Sequence, residues 1–391
     1  MVRKNKLVLL RVDINSAISQ GGKVLDQPRF IEAAQTIKKL LKEKAKIVII
    51  AHQGRKGSAD FCSLKEHAAI LSKHSKSKIE YVNDLFGEAA NKAISKLKPG
   101  QAILLENLRD YDEETHPRIY NNHFVNFSKK FDLFINDAFS VSHREQSSII
   151  IPPKHIKSTI SETFSNEIKK LEDFALHNNF KKTIIILGGS KVEDYFPLFK
   201  FLNNKTNKII AGGVIGNLFL KISGINLGFE EKWFKDKGYL KLIKELSKIY
   251  NKYHSQIILP VDFALSGNKR KEVLLSQAPF NKKIMDVGHQ SVNTIKNHLD
   301  NADRIIMKGP LGFAEFPQFE YSTKEVLSHI SNLHIKRHIP ALIGGGHLTT
   351  ESYNNKNLKF SHVSLAGGAS IAYLTQGKKG LPGLTAIKDN K

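Results

Sequence analysis

Four apolar runs in the first half of the chain end in polar or cationic side chains. Each run has the composition of a buried strand, and arginine, histidine, asparagine or aspartate lies at or just beyond its end. The runs are LVLLRVDIN (7–15), KIVIIAHQGRKG (46–57), QAILLENLR (101–109) and LFINDAFSVSHR (133–144). In open α/β sheets, ligands bind beyond the carboxyl ends of the strands. The pattern therefore predicts a site of cationic side chains, which suits a carboxylate or phosphate ligand.

The apolar runs of the second half end in paired or tripled glycines instead. These runs are TIIILGGSK (183–191), KIIAGGV (208–214), PALIGGGH (340–347) and HVSLAGGAS (362–370). Glycine between a strand and a helix allows backbone N–H groups to approach a phosphate at the helix N-terminus. The two halves thus predict two domains that hold different phosphate ligands. Close packing of strand against helix is the alternative role for each glycine pair, and it stays open here.

Arginine is scarce in this chain, and its positions are informative. Only ten of the 60 lysine and arginine residues are arginine, and Arg29, Arg55, Arg109 and Arg144 lie at or beside the strand-like runs or the helix that follows the first. A single arginine of this kind more often forms a surface ion pair. Four of them near successive strand ends favour bidentate recognition of carboxylate or phosphate.

Composition limits the classes of function. A length of 391 residues favours two domains, and 41% hydrophobic with 25% charged residues is ordinary for a globular protein. The net charge of +23 favours anionic partners, but the lysines alternate with apolar residues at helical spacing, as over 38–46, which indicates solvated helix faces. Without aromatic residues among basic clusters, nucleic acid is an unlikely partner. No apolar stretch predicts a membrane span, and the single cysteine, Cys62, suits the cytoplasm.

Helical patterns alternate with the strand-like runs. They cover 30–44, 64–75, 87–97, 121–131, 196–204, 238–254 and 322–334. This alternation predicts doubly wound α/β domains with parallel sheets throughout. Pro152 and Pro153 interrupt the pattern and predict a boundary rather than an element, and the helical pattern of 164–178 after them could bridge the domains.

Fourteen motifs, in order, resemble the phosphoglycerate kinase family over nearly the whole chain. They are RVDIN, PRF, HQGR, LLENLR, NDAF, SHR, LGGSKV, AGGV, LPVDF, KGPLGFAEF, GGGH, FSHVS, GGAS and LPGL. The resemblance implies two Rossmann-like domains joined by a helix and a hinge. It implies a cytoplasmic monomer that transfers a phosphoryl group between 1,3-bisphosphoglycerate and ADP, with Mg²⁺, giving 3-phosphoglycerate and ATP. The implied parts are a 3-phosphoglycerate domain at 1–163 with 371–391 packed back on it, an interdomain helix at 164–180, and a nucleotide domain at 181–370.

The resemblance also assigns site residues. Those implied to bind 3-phosphoglycerate are Asp13, Asn15, Arg29, His52, Arg55, Arg109 and Arg144. Arg29, facing the transferring group, and Lys191 are the implied catalytic residues. Those implied to bind nucleotide are Gly188, Gly189, Lys191, Gly212, Gly213, Pro310, Glu315, Gly344, Gly345, Gly346, Gly367 and Gly368. The alternative role for Asp13 is as a buried partner of Arg11.

Among the positions that differ from the family pattern, three bear on phosphate and metal binding. Tyr195 replaces a second phosphate-binding lysine, Lys308 replaces an asparagine, and His347 replaces the aspartate that coordinates Mg²⁺. Mg²⁺ prefers oxygen ligands, so the substitution at 347 leaves the metal ligands unknown. Lys308 and His347 could restore positive charge near the phosphates. Two interpretations stay open: an active kinase with altered metal and phosphate handling, or a degenerate relative that binds 3-phosphoglycerate or nucleotide in a regulatory or scaffolding role.

Overall fold

The structure is a computed structural model that describes residues 4–19, 21–176 and 181–388. The described chain divides into two compact units. The N-terminal unit runs to Leu171 and resumes at Gly368, and the C-terminal unit runs from Glu172 to Gly367. In the described part of the chain, no helix combines the length and the apolar character needed to cross a membrane.

A six-stranded parallel sheet forms the centre of the N-terminal unit. Its strands are β1 (Leu7–Arg11), β2 (Lys46–Ile50), β3 (Ile79–Tyr81), β4 (Ala102–Leu104), β5 (Leu133–Asn136) and β6 (Ser158–Ile160). They lie in the order β3-β4-β2-β1-β5-β6, and each neighbouring pair is parallel. The central strands are buried runs of valine, leucine and isoleucine, because helices cover both faces of such a sheet.

Seven helices follow these strands in the chain. They are α1 (Pro28–Lys42), α2 (Lys65–Ser75), α3 (Glu88–Lys96), α4 (His123–Ser128), α5 (Ser147–Ile150), α6 (Pro152–His155) and α7 (Glu162–Leu176). The chain passes from one unit to the other within α7. Of the interdomain helix predicted over 164–180, residues 177–180 lie outside the described part of the chain.

The region predicted to be a boundary without elements is structured, so that prediction was wrong. Pro152 and Pro153 open α6, where a helix tolerates proline because its first N–H groups have no partner inside the helix. The chain then forms β6, which pairs with β5 and completes the sheet. Two prolines in sequence thus mark the start of a short helix here.

The C-terminal unit contains nine described strands. They are β7 (Thr183–Leu187), β8 (Lys208–Ala211), β9 (Ile257–Ile258), β10 (Asp262–Leu265), β11 (Lys271–Leu274), β12 (Ile284–Val287), β13 (Arg304–Lys308), β14 (Ala341–Gly344) and β15 (His362–Ser364). Six form a parallel sheet in the order β15-β14-β13-β7-β8-β9. The doubly wound α/β fold is therefore present in both units.

The other three strands contradict the prediction of parallel sheets throughout. β10 pairs antiparallel with β11 and with β12. Only residues 266–270 link β10 to β11, and a parallel crossover needs a dozen or more residues. A hairpin is the arrangement that so short a link permits.

Two predicted helices of this unit differ from prediction, and several other α-helices were not predicted. The α-helices after α7 are α8 (Gly213–Ile222), α9 (Phe229–Asp236), α10 (Ile243–Tyr253), α11 (His289–Leu299), α12 (Tyr321–Arg337), α13 (Gly346–Asn354), α14 (Gly367–Gln376) and α15 (Pro382–Lys388). The helix predicted over 196–204 is a 3₁₀ helix, Val192–Asn203, which contains Pro197. The helix predicted over 238–254 is α10 with a short 3₁₀ helix at each end, Tyr239–Leu242 and His254–Gln256.

The C-terminal segment belongs to the N-terminal unit from Gly368 onward. In α15 the backbone N–H of Gly383 donates to the carbonyl of Ser142 at 2.9 Å. A Cβ atom on Gly383 would lie 2.5 Å from Ile149, so this contact requires glycine. Residues 389–391 of the predicted returning segment lie outside the described part.

Asp262 joins the antiparallel sheet to α11, and its removal should destabilise the C-terminal unit. The buried carboxylate accepts hydrogen bonds from the backbone N–H of Gln290 at 2.9 Å and of Ser291 at 2.8 Å. Asp262→Ala leaves these donors unsatisfied, so we expect a loss of about 2 to 4 kcal/mol in calorimetric unfolding. The exposed Asp236→Ala should change stability by less than about 0.5 kcal/mol. Equal stability of the two variants would contradict this role.

Candidate active site

The residues predicted to bind 3-phosphoglycerate gather at one edge of the N-terminal sheet. Six follow the neighbouring strands β4, β2, β1 and β5, whose carboxyl ends share that edge, and the seventh, Arg29, lies in the first turn of α1. Those after strands are Asp13, Asn15, His52, Arg55, Arg109 and Arg144. The fold thus places all seven where open α/β sheets bind ligands.

Asp13 anchors Arg29. One guanidinium nitrogen of Arg29 lies 2.5 Å from Asp13 Oδ2, and the hydroxyl of Ser140 donates to the same oxygen. Burial opposes ionisation of Asp13, but the charge of Arg29 and the hydrogen bonds from Ser140 and the backbone of Asn15 outweigh it and hold the pKa of the carboxyl below its usual value. The ion pair with Arg29 replaces the alternative pairing with Arg11.

Arg11 is a buried residue that orients His52. Its guanidinium donates to His52 Nδ1 at 3.0 Å and to Ser148 Oγ at 3.0 Å, and it lies 4.0 Å from a carboxylate oxygen of Glu114. Burial, followed by the charge of Arg11, lowers the pKa of His52 well below its ordinary value. The imidazole is therefore neutral, and because Nδ1 accepts a hydrogen bond, Nε2 carries the proton and can donate to a ligand. Sequence reasoning gave Arg11 no role here, although a cation ending an apolar strand was the available signal.

Arg109 lies in a cluster of like charges. Burial lowers the pKa of its guanidinium, Glu114 raises it, and the charges of Arg144 and Arg55 lower it further. Its Nε atom is buried and has no hydrogen-bond partner among the described residues. Leaving such a donor unsatisfied costs about 1 to 3 kcal/mol. An anionic ligand would supply the missing acceptor and relieve the repulsion.

Two buried amides that sequence reasoning missed hold the loops around this edge. Gln53 Nε2 donates to the carbonyls of Ser16 at 2.9 Å and Asp60 at 2.8 Å. Asn107 Nδ2 donates to the carbonyl of Gln53 at 2.9 Å. Asn15 takes part as well, because its side-chain oxygen accepts the N–H of Gly54 at 2.8 Å. The signal was an amide at a strand end, in HQGR and ENLR.

The first two glycine pairs of the C-terminal unit serve backbone packing. A Cβ on Gly188 would lie 2.1 Å from the Pro310 carbonyl oxygen, and one on Gly213 would lie 2.6 Å from the Gly189 nitrogen. The N–H groups of Gly188, Gly189, Gly212 and Gly213 all donate to backbone carbonyls. The prediction that these pairs offer free backbone N–H groups to a phosphate is therefore corrected, because each of these N–H groups already donates to a backbone carbonyl.

The triple glycine is different. Gly345 has a φ of +115°, which favours glycine, and a Cβ on Gly346 would meet no atom within 4 Å. Gly346 begins α13, and the first N–H groups of a helix have no acceptor inside it. The loop Gly344–Gly346 thus leads into an open helix N-terminus that suits an anion.

Four predicted nucleotide residues lie elsewhere in the loops. Glu315 is exposed in the turn after β13, and Pro310 covers Gly188. Gly367 is the last residue of the C-terminal unit, whereas Gly368 belongs to the N-terminal unit and lies against the ring of His143. A Cβ on Gly368 would lie 2.9 Å from His143 Nε2, so glycine is needed there for close packing.

The altered positions 195 and 308 contact each other. Tyr195 is buried and donates its hydroxyl to the Gly188 carbonyl, and Lys308 Nζ lies 5.4 Å from the Tyr195 ring centre. The same ammonium is 3.6 Å from Asp194 Oδ2, beyond hydrogen-bond range. Burial, with repulsion from Lys191, lowers the pKa of Lys308 to about 8, although Asp194 opposes the shift.

The residues present do not fit a metal ion held by the protein. His347 is exposed at the start of α13, and an imidazole is a poor ligand for Mg²⁺. Across the described ranges, no group of three histidine, cysteine, aspartate or glutamate side chains could hold a metal.

The fold is that of an α/β protein with two units. The N-terminal unit carries a cluster of arginines that suits an anion. The C-terminal unit carries glycine-rich loops with lysines beside them, some buried and some exposed. A family model described as phosphoglycerate kinase matches residues 1–378. The chain is 35% identical to a phosphoglycerate kinase of Methanopyrus kandleri, over 98% of this chain and 95% of that protein. It is 36% identical to one of Methanothermus fervidus, over 94% and 91%.

Solved structures agree. The phosphoglycerate kinase of Pyrococcus horikoshii OT3 superimposes with a TM-score of 0.86 at 30% identity, covering 100% of this chain and 98% of that one. That of Coxiella burnetii gives 0.71 at 27% identity, covering 100% and 97%. The chain belongs to the phosphoglycerate kinase family and is a phosphotransferase. The family and the fold predicted from the motifs are confirmed.

Gly188 and Gly346 provide a matched pair for testing the two kinds of glycine. Gly188→Ala forces a Cβ into the Pro310 carbonyl, so we expect a loss of about 2 to 3 kcal/mol in unfolding free energy. Gly346→Ala meets open space in a helix and should be neutral or stabilising by up to about 1 kcal/mol. Urea unfolding measures both, and equal stabilities would show that Gly188 is not needed for packing.

Proposed function

We propose that this protein catalyses reversible phosphoryl transfer between 1,3-bisphosphoglycerate and ADP, giving 3-phosphoglycerate and ATP. The observation that carries the proposal is the convergence of arginines at the N-terminal sheet edge, where the buried Arg109 Nε has no hydrogen-bond partner among the described residues. A ligand with a carboxylate at one end and a phosphate at the other provides acceptors for such a cluster. Membership of the family supports the same assignment.

The N-terminal unit supplies the site for 3-phosphoglycerate. Arg55, Arg109 and Arg144 bind its anionic groups, and neutral His52 donates from Nε2. Asp13 holds Arg29 toward the transferring phosphoryl group. In the direction of ATP consumption, a carboxylate oxygen of 3-phosphoglycerate attacks the γ-phosphorus, and the bond to the bridging oxygen of ADP breaks. The attacking carboxylate is already ionised, so no general base is required, and catalysis consists of positioning and charge stabilisation.

The C-terminal unit supplies the nucleotide site. Lys191, the open N-terminus of α13 and the loop Gly344–Gly346 bind its phosphates, and the Gly188 and Gly212 pairs shape the loops. Such kinases generally need Mg²⁺, which would neutralise charge on the nucleotide phosphates. Because His347 stands where the family pattern has an aspartate, the residues of this chain would contribute little to holding that metal.

The degenerate-relative alternative has less support. All seven residues assigned to 3-phosphoglycerate binding are present. Their positioning extends to a buried residue, Arg11, which donates a hydrogen bond to His52. Such preorganisation is expected of a catalytic site. We further propose that the protein is a cytoplasmic monomer, and that its partners are its small-molecule substrates.

A coupled assay of ATP and 3-phosphoglycerate turnover across Mg²⁺ concentration tests the activity. The unmodified protein should turn over, with saturation at high Mg²⁺. Arg109→Met should weaken 3-phosphoglycerate binding by about 1.5 to 3 kcal/mol in calorimetry, the scale of a hydrogen bond to a charged group. The exposed Arg118→Met is the matched control and should bind normally. Binding without turnover would favour the degenerate alternative, and no binding would refute the assignment of the arginines.

A further inference from the structure

Lys308 lies where the glycine loops of the C-terminal unit meet. It ends β13, which has β7 on one side and β14 on the other. Its carbonyl accepts the N–H of Gly188 at 2.8 Å, and its Cε atom lies 4.0 Å from the position of a Cβ on Gly367. The side chain therefore runs between the loop after β7 and the loop that begins α14.

The Lys308 ammonium is poorly satisfied in this position. Its side chain is 8% exposed, and among the described residues Nζ has no hydrogen-bond partner. An ammonium carries three donors, and burying them without acceptors is costly. Asp194, at 3.6 Å, is 42% exposed and can be hydrated without help, so the need for a buried partner lies with the lysine.

Tyr195 supports this ammonium and cannot replace it. Its hydroxyl is held by the Gly188 carbonyl, and its ring centre is 5.4 Å from Lys308 Nζ, a cation–π distance. The position that would carry a second lysine in the family pattern thus presents an aromatic surface. The positive charge in this region comes instead from Lys308, at the end of the neighbouring strand β13.

We propose that Lys308 supplies the second cation for the nucleotide phosphates, with Asp194 and Tyr195 holding its ammonium when no phosphate is bound. This rests on the proposed function. The ammonium then leaves Asp194 for a phosphate oxygen, which offers the acceptor that the protein lacks. Lysine suits this role because it is a compact charge on a flexible stem. A purely structural Lys308 would neutralise Asp194 and contribute nothing specific to phosphate binding.

Calorimetry with ADP and with adenosine distinguishes these roles in the full chain. Lys308→Met should weaken ADP binding by about 10- to 100-fold, the scale of a hydrogen bond to a charged group, and change adenosine binding less than about twofold. Lys205→Met removes the same charge from an exposed site and should alter neither. Thermal unfolding of Lys308→Met should occur at no lower temperature, because an apolar side chain replaces a buried charge.

Asp194→Asn is the second variant, and it leaves Lys308 in place. It should strengthen ADP binding by a few-fold, because the amide no longer competes for the ammonium, and the gain should shrink in the Lys308→Met background. Unchanged ADP affinity in either single variant would overturn the proposal, as would equal losses for ADP and adenosine in Lys308→Met. In those cases, a variant that still binds adenosine retains its nucleotide site, so the result counts against the role of Lys308 and not against the proposed function. An unmodified protein that binds neither ligand would refute the proposed function and this inference with it.

Discussion

Repulsion between arginines at the carboxyl edge of the N-terminal sheet is the constraint on which the first site depends. Arg11 and Arg29 have carboxylate neighbours, in Glu114 and Asp13. Arg109 is attracted by Glu114 but repelled by Arg144 and Arg55, and its buried Nε has no hydrogen-bond partner in the part of the chain that the structure describes. The fold holds these charges together because four neighbouring parallel strands end at the same edge. In the proposed function, binding of an anionic ligand would offset the free energy needed to assemble these charges.

The second unit handles charge in the opposite way. Its first two glycine pairs donate their N–H groups to backbone carbonyls and form a close-packed surface with few free donors. In the proposed function, binding of phosphate therefore depends on lysines and on the N-terminus of α13. The contact between Tyr195 and Lys308 belongs to this arrangement, because the Tyr195 ring packs against these loops and faces the ammonium of Lys308 from the next strand. If the proposed function is right, the N-terminal unit binds anionic groups through side-chain charge, and the C-terminal unit binds them through packed backbone and a few lysines.

Sequence reasoning predicted the parts of the fold that follow from local pattern. Buried strands of valine and isoleucine and amphipathic helices between them are visible in composition and period, and they place Arg29 and His52 at one edge without coordinates. It failed where spacing in three dimensions decides. The hairpin of β10 and β11 depends on a short link, and the role of Gly188 depends on the Pro310 carbonyl. The role of Arg11 was missed because it depends on a hydrogen bond to one atom, His52 Nδ1, which only the structure shows.

The protonation state of His52 tests the central claim most directly, because burial and then the charge of Arg11 lower its pKa. Long-range proton–nitrogen NMR spectra of the free protein, assigned with His52→Gln, give the tautomer and the titration curve. We expect a neutral ring with the proton on Nε2 at neutral pH, and a titration midpoint well below the ordinary value of a histidine. A midpoint near the ordinary value of about 6.5, or a proton on Nδ1, would contradict the account.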